Sequence, residues 1–164
     1  MVILYTWTPD PAAPIAGHSP DLGHTSLQVG NIYASFWPQK DSLVGAIVSL
    51  LTHRSRRHPE SYTEEIQPEN GFMQRPATHT DELTGLDEAK MLAQWEEVRN
   101  TDFDGNTHNC SHVARDLLAA GLPPEFGSRL PELCEKREHV PLTTCTPLGL
   151  RSVILELLAG DAGR

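Results

Sequence analysis

His108-Asn-Cys-Ser-His-Val-Ala-Arg-Asp-Leu-Leu-Ala-Ala-Gly121 reads as a helix with its start and stop written into it. Asn109 is a preferred N-cap, and Val113, Leu117 and Leu118 form an apolar stripe. Gly121 stands where a helix would end in the left-handed conformation. Cys110 then falls in the first turn, where unpaired N–H groups and the positive end of the helix dipole favour a thiolate. Such a thiol becomes a nucleophile when a base is supplied from elsewhere in the chain. Without one it is a small buried side chain.

The surrounding 164 residues suit one domain, 1–164, with a core of its own. The balance of 13 basic against 22 acidic residues gives a formal charge of −9, the wrong sign for a nucleic-acid partner. The one basic run, His53-Arg-Ser-Arg-Arg-His58, reads as a solvated loop. Three cysteines is an odd number in a chain too long to need disulfide staples, so a reducing compartment is expected. No signal peptide and no transmembrane stretch is read. The expectation is a cytoplasmic protein as synthesised, with secretion open by a route that cleaves no signal.

Upstream of the helix, Val2 to Thr8 is β-branched and aromatic and reads as a strand buried on both faces. Pro9 to Asp21 is a proline-rich loop. His24 to Val29 and Ile32 to Trp37 flank Gly30-Asn31 as a hairpin with a tight turn. Leu43 to Leu51 reads as a helix, with a buried strand the alternative that periodicity leaves open, His53 to Glu60 as a polar loop, and Ser61 to Gln67 and roughly Thr78 to Leu86 as two more strands. Asp87 caps a helix to about Asn100 with Met91, Leu92, Trp95 and Val98 on one face. Thr101 to Thr107 is a loop. Past Gly121 come a short helical stretch to about Glu138, an extended Pro141 to Pro147 and a final helix from Gly149 to Ala159. Strands with helices interspersed make the class α+β.

Eight histidines could serve the thiol. His18, His53 and His58 sit in loops and read as surface residues, His79 sits in a strand of unknown facing, and His139 has no distinguishing context. His108 and His112 flank Cys110, but residues two apart on a helix do not face each other, so His112 reads as structural. His24 is different. It opens a strand on which His24, Ser26 and Gln28 share one face and Thr25, Leu27 and Val29 the other. A histidine fixed on a strand and directed at a helix start is the geometry of a thiolate–imidazolium pair. With a two-residue turn, Ser35 lies opposite Ser26 on the face of His24, so Ser35 or Gln28 could orient the imidazole.

The segment Gly23-His24-Thr-Ser-Leu-Gln-Val-Gly-Asn-Ile-Tyr33, followed by Asn109-Cys110-Ser-His112-Val, resembles the circularly permuted papain-like superfamily. In that group the histidine strand precedes the cysteine helix. The lecithin–retinol acyltransferase-like branch carries Asn-Cys-Glu-His-Phe where this chain has Asn-Cys-Ser-His-Val, and uncharacterised bacterial relatives, some of them effectors or toxins, are similar as well. The resemblance covers about 30 residues. It implies an antiparallel sheet packed against the cysteine helix, with a Cys110–His24 dyad. The acyltransferase branch has a second histidine on the next strand, where this chain reads Tyr33-Ala-Ser35-Phe-Trp37. The departure favours a peptidase, amidase or deamidase over a lipid acyltransferase. A non-catalytic binding module on the same fold is the remaining alternative.

The expected chemistry is acyl transfer: His24 takes the thiol proton, the thiolate attacks an amide or ester carbonyl, and a thioester forms. The Cys110 backbone N–H is the expected oxyanion donor, with Gln28 and Asn109 as side-chain candidates for oxyanion or substrate contact. A peptide, a protein or a lipid ester would be the substrate. An immunity or inhibitor protein is the expected partner if the chain is a toxin. No cofactor is expected, and no metal, since no Cys-x-x-Cys or His-x-x-x-His pair occurs. Cys134 and Cys145 read as small buried or semi-exposed residues, Trp7, Trp37 and Trp95 as core, and Glu64-Glu65 and Glu96-Glu97 as solvated faces.

Overall fold

A computed structural model describes residues 1–10, 23–38, 53–54, 58–70, 72–105, 107–137 and 145–161. The fold is mixed α+β, built on a four-stranded antiparallel sheet. Its strands are β1 (Val2–Trp7), β2 (His24–Val29), β3 (Ile32–Ser35) and β5 (His79–Leu83), in the order β3-β2-β1-β5. Gly30 adopts φ 58° in the β2–β3 turn, a conformation that glycine takes without steric cost. The turn sets the register Ser26↔Ser35 and Leu27↔Ala34, while β1 aligns Trp7↔His24 and Tyr5↔Ser26.

That register sorts side chains by parity. Val2, Leu4, Leu27, Val29 and Ala34 share one face and pack against the helices α2 (Glu88–Val98), α3 (Cys110–Gly121), α5 (Leu130–Arg137) and α6 (Pro147–Asp161). Met91, Leu117, Leu118, Leu130, Leu150 and Ile154 fill the middle of this main core without solvent exposure. The opposite face carries Tyr5, Trp7, Tyr33 and Trp37, which pack with Phe72 and Met73 in a second, aromatic cluster. A central strand buried on both faces is therefore what β1 is. The segment that closes the second face includes α1 (Tyr62–Ile66), whose Tyr62 ring stacks on Tyr5 at 4.3 Å.

Several expectations are corrected. Ser61 to Gln67 is not a strand: the Ser61 hydroxyl accepts the N–H of Glu64 at 3.1 Å and caps α1. Ser61-Tyr-Thr-Glu64 is a helix-start pattern, and the short β-branched run around it masked that signal. His53 and Arg54 form β4, paired with β6 (Asp102–Phe103), so both loops assigned there contain a strand. Gly121 is the last helical residue of α3 and is not left-handed; Leu122 caps the helix in an extended conformation. Glycine is needed there for closeness, since a Cβ would come within 2.6 Å of Met91 on α2. The stretch past it is two helices, α4 (Pro124–Gly127) and α5. The Pro9–Asp21 loop from residue 11 onward, the helix expected at Leu43 to Leu51, and residues 141–144 of the stretch expected to be extended lie outside the described residues, as do His18 and His139.

Candidate active site

Two elements from opposite faces of the sheet meet at the start of β2. Gly23, at φ 83°, leads the chain into the strand so close to Trp7 that a Cβ would sit 2.6 Å from its carbonyl oxygen. His24 follows, directed to the aromatic face, where its ring lies 4.4 Å from that of Trp37 and 5.6 Å from that of Trp7. The next residue points the other way, and the Thr25 hydroxyl meets the Ser111 hydroxyl of α3 at 3.4 Å. This contact seats the first turn of α3 against the strand.

The helix start is fixed by its own side chains. Asn109 accepts the N–H groups of Ser111 and His112 at 2.9 and 3.1 Å, and its amide donates to the Gly105 carbonyl. His112 Nδ1 accepts the Asn109 N–H at 3.4 Å, completing a capping box. That role needs a neutral ring. Burial, aided by the nearby Arg115 charge, lowers the His112 pKa to about 4. His112 is thus structural, and Asn109 is occupied as a cap, not turned toward a substrate.

Cys110 is partly exposed at this start, and its thiol shares a hydrogen bond with His24. The Thr25 N–H and the Ser111 hydroxyl, whose oxygen lies 3.9 Å from Sγ, also face the sulfur. Burial works against a thiolate here, but the His24 charge and these donors outweigh it and hold the thiol below its ordinary value of 9.0. Burial likewise disfavours an imidazolium. It is overcome by Cys110 first and by Glu65 second, raising His24 to about 10.

Glu65 is the residue that sequence reasoning missed. Placed with Glu64 on a solvated face, it is instead fully buried, while Glu64 is half-buried. Its Oε1 lies 3.0 Å from His24 Nε2 and accepts the Trp37 indole N–H at 2.8 Å and the Ser35 hydroxyl. Its Oε2 accepts the hydroxyls of Ser26, at 3.0 Å, and Tyr33. Ser35 Oγ is also 2.9 Å from His24 Nε2. Nε2 is engaged by Ser35 and Glu65, which leaves Nδ1, the ring nitrogen nearer the strand backbone, to serve the thiol. The available signal was the α1 capping pattern: a helix over Tyr62–Ile66 puts Glu64 and Glu65 on different faces.

The structure therefore brings together His24, Ser35 and Cys110, and leaves Gln28 out. Gln28 donates to the Gly30 and Ile32 carbonyls at the hairpin turn, four residues along β2 and roughly 13 Å from His24. His58, expected on the surface, packs between Phe36 and Trp95 and donates to the Arg99 carbonyl at 2.6 Å. His108 meets the Thr101 hydroxyl at 2.8 Å. Cys134 and Cys145 are buried, and Cys145 Sγ donates to the Ser111 carbonyl at 3.5 Å. Among the described residues no group of three His, Cys, Asp or Glu side chains is placed to hold a metal ion, and no helix is long and apolar enough to cross a membrane. Comparisons with protein-family models, curated proteins and solved structures return no match to this chain.

Proposed function

We propose that this chain is a thiol hydrolase of an amide bond, with Cys110 as nucleophile and His24 as its proton partner, on a permuted papain-like arrangement. One observation carries this: a partly exposed thiol at a capped helix start shares a hydrogen bond with a buried imidazole on a sheet strand. The order of the two elements, histidine strand before cysteine helix, supports the permuted arrangement.

In the resting site the thiol proton lies on His24. The thiolate attacks the substrate carbonyl, whose π electron pair moves to oxygen. Asn109 occupies the N–H groups of Ser111 and His112, so the first-turn donor on the nucleophile's own residue is the Cys110 N–H. Collapse of the tetrahedral species breaks the C–N bond. The amine leaves with the proton from His24, and a thioester remains on Sγ. Neutral His24 then removes a proton from water as its oxygen adds to the thioester. The thiolate departs, and the proton kept by His24 restores the ion pair. One water is consumed for each acid and amine released.

The test is turnover of amide and ester reporters carrying peptide or fatty acyl groups, with acid-quenched samples weighed intact. One acyl group on Cys110 is expected, with turnover falling at least about a thousandfold in Cys110→Ala. Turnover that survives this substitution would defeat the proposal.

A further inference from the structure

We infer that Glu65 is the positioning residue of this site, holding His24 in the orientation and charge state that Cys110 requires; the inference rests on the dyad proposed above. A carboxylate with no solvent exposure is costly unless it is both hydrogen-bonded and balanced by a cation. Ser26, Tyr33, Ser35 and Trp37 supply the hydrogen bonds, and all four are neutral donors. Among the described residues the cation within reach is the His24 imidazolium, at 3.0 Å. The two charges are buried together.

The arrangement has a direction. Nε2–H is shared by Glu65 and Ser35, which fixes the ring plane and presents Nδ1 to Cys110. The titratable groups around the cluster are His24 on β2, Tyr33 on β3, Tyr5 on β1, Tyr62 on α1 and Cys110 on α3. Tyr33 and Tyr5 are held above their ordinary value of 10.0, so both remain neutral wherever the dyad operates. Burial alone would push the Glu65 carboxyl up; the His24 charge and the hydrogen bonds outweigh it and hold it below 4.5. A role confined to packing would be met by the neutral donors. What the charge adds acts on His24.

The experiment is NMR titration of the His24 ring nitrogens and the Glu65 carboxyl carbon in the full chain, alongside the pH profile of Cys110 alkylation by iodoacetamide. In the wild type, Glu65 should keep its carboxylate shift at pH 4.5 and above. Glu65→Gln should lower the His24 midpoint by about one unit or more and move half-maximal alkylation upward, and Glu65→Asp should restore part of both shifts. A folded Glu65→Gln protein with an unchanged His24 midpoint overturns the inference and leaves the dyad standing. So does a wild-type Glu65 carbon that titrates above pH 4.5, a readout that needs no variant to fold. An ordinary thiol profile for Cys110 in the wild type overturns dyad and inference together.

Discussion

His24 and Cys110 shift in opposite directions, and this gives the site a signature in stability as well as in chemistry. His24 rises from 6.5 to about 10, so its contribution is fully present below 6.5 and is lost as pH rises through 10. Cys110 is depressed below 9.0, so its contribution is present above 9.0 and is lost as pH falls through its folded value. Between 6.5 and 9.0 the two slopes oppose each other, and urea unfolding should show stability changing little with pH there. Below 4.5 stability should fall as Glu65 takes up a proton. Cys110→Ala removes the Cys110 slope and also the larger of the two charges that raise His24, so the His24 midpoint read by NMR should fall in the variant. At pH 6 the same substitution should cost no more than about 1–2 kcal/mol, since thiol to methyl removes little volume. A His24 midpoint unchanged by Cys110→Ala would count against a charged dyad.

The nucleophile depends on an element whose cap and neighbours can each be tested. Asn109→Ala removes the acceptor for two first-turn N–H groups and should lower stability by about 1 kcal/mol. Cys110 alkylation should slow as well, because the helix start that holds the thiol beside His24 loosens. Two glycines mark where helices touch α3, and their alanine variants should differ. At Gly121 the Cβ meets the flexible Met91 side chain, whereas at Gly127 it would lie 2.2 Å from the Ala119 carbonyl oxygen. Thermal unfolding should show Gly127→Ala as the more damaging, by about 1–3 kcal/mol. The elements that carry Cys110 and His24 were legible in the sequence because each has local punctuation: Asn109 and the apolar stripe for one, Gly30-Asn31 and strict alternation for the other. The α1 helix was not, because five residues are too few for a periodicity, and Ile66 beside Tyr62 and Thr63 imitates a strand. Glu65 was lost with it. A charged pair reads as solvated until something shows that the chain folds back over a sheet face.

On the scale of the molecule, the sheet is a partition: the cysteine helix packs on one face, the carboxylate cover on the other, and His24 at the strand start reaches both. The two faces are separate clusters, so the cover could not be inferred from the main-core pattern. If the chain is an effector or toxin, as its short resemblance suggests, it should harm a cell only in the compartment that holds its substrate. Expression in the bacterial cytoplasm, the periplasm and a eukaryotic cytoplasm, each paired with Cys110→Ala, checks this. Equal growth in all three would remove the toxin proposal and leave the hydrolase. The central claim is tested most directly by labelling the native protein with iodoacetamide across pH and weighing it intact. Cys134 and Cys145 are 0% and 2% exposed, so a thiolate–imidazolium site predicts a single label, on Cys110, still taken up readily at about pH 5.5. A Cys110 that reacts only as pH approaches the ordinary thiol value of 9.0 would contradict the account.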